Sequence, residues 1–155
     1  MNSEKGRLDS HELITREEAL KEFCRDISSR LDDKELFVLV HLADLRSAYD
    51  RVQGALSQQI ADDAALFGIS NGDTILNISK GVNVNYQDVR HTIHAFYLMG
   101  LVVKKASKQI NAQEWMITQA GGQILNIIFA QEGEEKHGMG LRKRYEAQKK
   151  SRENV

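Results

Sequence analysis

At 155 residues, 41% of them hydrophobic and 28% charged, the chain has the length of one domain and enough apolar content to bury a core. A net charge of −1 excludes a chain that is polycationic overall. The bases are nevertheless uneven: residues 74–113 hold Lys80, Arg90, Lys104, Lys105 and Lys108 against the single acid Asp88, a local footprint of the kind that approaches polyanions.

Cys24 is the only cysteine, which excludes an intrachain disulfide and any cysteine-based zinc pattern. Nothing beyond Lys21 and Arg25 would lower its thiol pKa, so it reads as a packed helix residue and not a redox sensor. No apolar run reaches membrane-spanning length, and the start "MNSEKGRLDS" lacks a signal-peptide core. The expected compartment is the cytoplasm, with no membrane partner.

In chain order, residues 1–14 are expected to be disordered. Thr15 with Glu18 forms a capping box that opens a helix through about Leu31, apolar at Leu20, Phe23, Cys24, Ile27 and Leu31. Asp32 or Asp33 caps a long helix toward Ile60 that is apolar on more than one side, with Gly54 as an expected point of interruption. Helices of that kind outside a small basic module usually hold subunits together. A short helix around Asp62 to Phe67 and the turn signal "ISNGD" follow.

Asp73 then caps the short helix "TILNISKG", ended by Gly81, and Asn83 or Asn85 caps the next. Helix, tight turn, helix is the helix-turn-helix pattern. On the second helix Val89, Ile93 and Phe96 form an apolar stripe, which Tyr97 can join, while Gln87, Arg90, His91 and His94 lie on the other side. After Gly100, "LVVKK" and "EWMIT" are β-prone runs that predict a hairpin, and Thr118 caps a further apolar helix. Residues 132–155 read as a polar, partly basic tail whose "LRKRYEAQKK" is frayed and not a dedicated DNA arm.

Read in order, "ISKGVNVNYQDVRHTIHAFYLMGLVVKK…EWMITQAGGQIL" resembles the winged-helix segment of MarR-type transcription regulators. In that family the recognition helix ends in an L-x-x-x-G-L-[VI] junction, matched here by Phe96, Gly100, Leu101 and Val102. A β-wing and an [LI]-T-x-x-G helix start follow, matched by Ile117, Thr118 and Gly121. The pattern covers roughly residues 36–130 and is specific over 78–121. It departs at the wing tip, where "SKQINAQ" replaces the family's neighbouring acid and arginine.

The resemblance implies a mainly α fold with a small β-wing: a winged helix-turn-helix at about 74–117, flanked by dimerisation helices within a domain spanning 15–131. It also implies a homodimer on double-stranded DNA, with a small-molecule effector in the crevice between the dimer and DNA-binding parts. The residues themselves suit a major groove: arginine reads guanine, glutamine and asparagine read adenine, and lysines meet phosphates. The expected DNA-binding set is Lys80, Asn85, Tyr86, Gln87, Arg90, His91, His94, Lys104, Lys105 and Lys108.

His91 and His94 have no third metal ligand nearby in sequence, and no cofactor is implied. No phosphate loop, dinucleotide fingerprint or nucleophile–base set occurs, so no enzymatic activity is expected. A second reading, from another class, is a winged-helix protein-interaction or assembly module serving replication or partition of a plasmid or phage.

Overall fold

A computed structural model describes residues 2–55, 71–105, 112–134 and 140–153. Its elements are α1 (Asn2–Arg30), α2 (Asp33–Ala55), β1 (Asp73–Thr74), α3 (Ile75–Val82), α4 (Tyr86–Met99), β2 (Val102–Lys105), β3 (Glu114–Ile117), α5 (Gln119–Glu134) and α6 (Leu141–Glu153). The fold is mainly helical with a small antiparallel sheet in the order β1-β3-β2. No helix among the described residues is long and apolar enough to cross a membrane. The short helix expected at 62–67 lies outside the described residues.

Local chemistry sets the joints. Between α1 and α2, Asp32 Oδ1 accepts from the Glu35 amide at 2.8 Å, and Glu35 Oε1 accepts from the Asp32 amide at 3.1 Å. This reciprocal capping box uses aspartate in place of the usual serine or threonine. The box expected at Thr15 is not a helix start, because α1 begins at Asn2 and runs through it. The backbone of residues 2–14 is helical and continuous with the rest of α1. α2 continues through Gly54 to Ala55 without a break.

α3 is capped by Thr74, whose hydroxyl accepts from the Asn77 amide at 3.2 Å, and not by Asp73. The chain leaves α3 through Asn83 in the left-handed region (φ 57°), and the Ser79 hydroxyl donates to the Val84 carbonyl at 2.6 Å across the turn. Asn85 then caps α4 by accepting from the Gln87 amide at 2.8 Å. α4 ends in a Schellman motif: Gly100 sits at φ 78°, its amide reaches the Tyr97 carbonyl, and the Leu101 amide reaches Phe96 at 2.9 Å. That reversal needs glycine, and it drops Leu101 and Val102 into the core immediately afterwards.

The hairpin pairs Val102 with Ile117 and Lys104 with Trp115, while Asp73 of β1 pairs with the other edge of Trp115. Thr118 closes the hairpin: its hydroxyl donates to the Gly100 carbonyl at 2.7 Å and accepts from the Gly121 amide at 3.2 Å, opening α5. One core joins these pieces, with Leu39, Leu42, Ile78, Val82, Ile93, Phe96 and Ile124 fully buried. On α1, Cys24 is buried, but Leu20 and Phe23 stand 44% and 42% exposed.

The C-terminal tail also departs from expectation. Residues Leu141–Glu153 form a helix whose Leu141 and Tyr145 are buried, with the Tyr145 ring 5.8 Å from that of Phe37. Arg142 makes two hydrogen bonds to Asp44 (2.6 and 3.0 Å), and Arg144 makes two to Asp33 (3.0 and 3.1 Å). The Leu141 amide donates to Glu132 Oε1 at 2.8 Å, fixing the start of α6 against α5. Leu141 and Tyr145 stand one turn apart, and the two arginines between them find carboxylates on α2.

Candidate nucleic-acid interface

The central element is α4. Val89, Ile93 and Phe96 are buried, whereas Tyr86, Gln87, Arg90, His91 and His94 are all exposed, together with the N-cap Asn85. The helix is therefore held on one side and presents a polar, basic side to solvent. Asn85 already uses Oδ1 in the cap, which leaves its amide NH₂ group to donate outward.

Tyr97 does not join the core stripe. It is half exposed, because it lies beside the wing: its ring meets the buried Trp115 edge-on at 5.6 Å, and Lys104 Nζ lies 5.2 Å from its centroid. His94 makes a similar edge contact with Trp115 at 5.8 Å. Trp115 thus fixes the angle between wing and helix, and Lys104 is carried to the wing's helix-facing side. An open groove of about 710 Å³ lies along this junction, lined by Leu76, Tyr86, His94, Tyr97, Lys104 and Trp115.

Asp88 lies on the other side of α4. It is nine positions before Tyr97, about two and a half turns at roughly 3.6 residues per turn, so the two residues face opposite ways. There Asp88 meets Lys34 of α2 at 3.5 Å. Behind the helix-turn-helix, His41 Nε2 and Asp73 Oδ2 are 3.0 Å apart in a largely buried pair that ties α2 to β1. A β-carbon on Gly81 would come within 2.6 Å of the His41 ring, so α3 and α2 approach closely because this position is glycine.

The remaining expected residues divide. Lys80 is exposed on α3. Lys105 is half-buried and turned toward Glu114, 3.9 Å away, which offsets part of its charge. Lys108 lies outside the described residues. Among the described residues no three His, Cys, Asp or Glu side chains are grouped as a metal site would require.

Three features escaped the reading from sequence. Leu98 is 86% exposed on the outward side of α4, an apolar residue among polar ones. Trp115 is the bracket between helix and wing. Asn83 Nδ2 donates to the Gln148 carbonyl (3.3 Å) and to Ser151 Oγ (3.0 Å), while Gln148 Nε2 donates back to the Asn83 carbonyl (2.7 Å). The turn before α4 is therefore latched to α6, a contact across 65 residues that no local pattern announces.

Among solved structures the chain is similar to an S. aureus MepR–DNA complex, at 14% identity and a TM-score of 0.48 over 84% of each chain. It is also similar to a MarR family transcription regulator, at 12% identity and a TM-score of 0.40 over 82% of this chain and 74% of that one. No protein-family model and no curated protein matches the sequence.

Proposed function

We propose that this winged helix-turn-helix protein is a sequence-specific regulator of transcription that binds double-stranded DNA as a homodimer and represses by occluding a promoter. The observation that carries the reading is α4 itself: an apolar stripe at Val89, Ile93 and Phe96 buried beneath an exposed Tyr86, Gln87, Arg90, His91 and His94, with a basic wing beside it. A major groove admits such a helix and presents base edges to its N-terminal residues. Arg90 donates to guanine, Gln87 reads adenine, Asn85 donates through its amide NH₂ to an acceptor on a base edge or phosphate, and Lys80 and Lys104 contact phosphates. His91 and His94 add polar contacts to the same face, and Lys108, in the segment between the two wing strands, is a further phosphate contact expected from the sequence.

Two protomers would place their α4 helices in successive major grooves about 34–36 Å apart. The exposed Leu20 and Phe23 on α1 support a second copy as partner, since they continue the apolar side that buries Cys24. An effector of small-molecule size would suit the crevice of about 630 Å³ between α2 and α5, lined by Asp44, Arg46, Ser47, Gln123, Asn126 and Arg142. A second reading, a protein-interaction module, is supported by the exposed apolar side chains Leu76, Tyr86 and Tyr97, which together line the groove between α4 and the wing.

The deciding experiment compares wild type with Arg90→Ala on a selected operator and on a scrambled duplex, each titrated with salt. Loss of a bidentate base contact costs ~1–3 kcal/mol on the operator and relaxes preference at one position per half-site. An equal loss on both duplexes would reduce Arg90 to a phosphate contact. No effect, with salt-insensitive association to a protein, would favour the second reading.

A further inference from the structure

The basic C-terminal helix has a use that a docked strut does not require. Arg142 and Arg144 are taken up by Asp44 and Asp33, whereas among the described residues no carboxylate pairs with Lys149 or Lys150. Lys149 Nζ lies 5.1 Å from the Tyr145 ring centroid, and Lys150 is exposed. Their neighbours on either side, Gln148 and Ser151, are the two residues bonded to Asn83 in the turn that leads into α4. The lysine pair therefore sits between the two residues that tie α6 to the helix-turn-helix joint.

The side on which this happens gives the pair its meaning. On α4 the wing occupies the Tyr97 side and α2 meets the Asp88 side through Lys34. α6 packs along that same end of α2: Arg144 binds Asp33, and Ala147 and Gln148 line a shallow cleft with Lys34 and Phe37. The wing thus lies on one side of α4, while α6 packs against the start of α2, on the side that Asp88 faces, and against the turn at Asn83.

We propose that the Lys149–Lys150 end of α6 is a second phosphate-binding flank, which meets the DNA backbone on the side of α4 opposite the wing. This rests on the reading that α4 enters a major groove. Its partner is duplex DNA just outside the base-read positions, and its contribution is charge, so it adds affinity without sequence preference. The Asn83 latch is what makes a charged helix into a contact: it holds the lysines in register with the turn and spares them the ordering cost of a loose tail.

The test uses the full chain carrying Lys149→Gln and Lys150→Gln together, with Lys143→Gln as a control. Lys143 is exposed on α6 about two turns from Lys150, away from the Asn83 latch. The double variant is expected to bind operator and scrambled duplex more weakly by the same factor. The plot of log affinity against log salt should flatten by roughly one unit for each phosphate contact removed. Lys149→Arg with Lys150→Arg should restore the wild-type slope, and Lys143→Gln should leave it in place.

An unchanged slope in the glutamine variant, while Arg90→Ala still weakens the operator, overturns the role of α6 and leaves the reading of α4 standing. Equal flattening by Lys143→Gln overturns it too, by reducing the effect to net charge. Wild-type protein that retains neither duplex at low salt overturns both.

Discussion

Replacing Tyr145 by alanine tests whether the C-terminal segment is part of the fold. The ring is 1% exposed, packs against Phe37 at 5.8 Å, and lies under the cations of Arg142 and Lys149 at 5.9 and 5.1 Å. A tyrosine buries ~150–250 Å², which at ~25 cal/mol per Å² amounts to ~4–6 kcal/mol as an upper figure. Large aromatic-to-alanine changes in cores cost ~3–5 kcal/mol, cavity included. Release of α6 from α2 limits the loss, because an undocked helix leaves no cavity, so ~3 kcal/mol is the expected value. For a chain of this size that lowers Tm by roughly 6–12 °C. Urea denaturation followed by circular dichroism, with Lys143→Ala as an exposed control on the same helix, measures it. A Tyr145→Ala midpoint within ~0.5 kcal/mol of wild type, the range of ordinary surface changes, would mean that α6 does not dock and that the segment is the loose tail its composition suggests.

Two further outcomes follow from the titrating groups. Burial, reinforced by Asp44 and Glu146, pushes the Tyr145 phenol up to about 12. An unfolded tyrosine ionises near ~10, so stability from this group is complete below about pH 10 and is lost as pH rises toward about 12. Phenolate absorbance should show one late tyrosine, and a melting series should fall in that window; simultaneous ionisation of all tyrosines would contradict this. Burial likewise pushes the Cys24 thiol up, leaving little thiolate at neutral pH. Cys24→Ser should therefore leave DNA affinity and its response to peroxide unchanged, and a lost peroxide response would identify Cys24 as a sensor.

Much of the helix-turn-helix was legible because its signals are local. Val89, Ile93 and Phe96 repeat at helical spacing, Asn85 sits where a cap belongs, and Gly100 marks a helix end that only a left-handed residue closes. Thr118 was readable for the same reason. Other features depend on distant partners. Tyr97 falls near the apolar stripe by spacing, but Trp115 and Lys104, brought alongside by the hairpin, hold it at the surface. β1 has two residues and exists because Asp73 and Thr74 find the free edge of β3. Asp73 looked like a cap in isolation; its carboxylate instead meets His41, 32 positions away. α6 was the largest departure, since Leu141 and Tyr145 are few among charges and their docking relies on Asp33, Asp44 and Asn83. Of the expected contact residues, Lys105 proved to be engaged with Glu114, which nothing in "VVKK" alone foretells.

The measurement that bears most directly on the central claim is selection of bound sequences from a pool of random duplexes at low and moderate salt. The account predicts retention that falls steeply with salt and enrichment of an inverted repeat. Its half-sites should be centred about one helical turn apart, as two α4 helices in successive grooves require. A pool that is never retained at low salt, or one retained without any enriched sequence, would contradict the assignment of α4 as a helix that reads DNA.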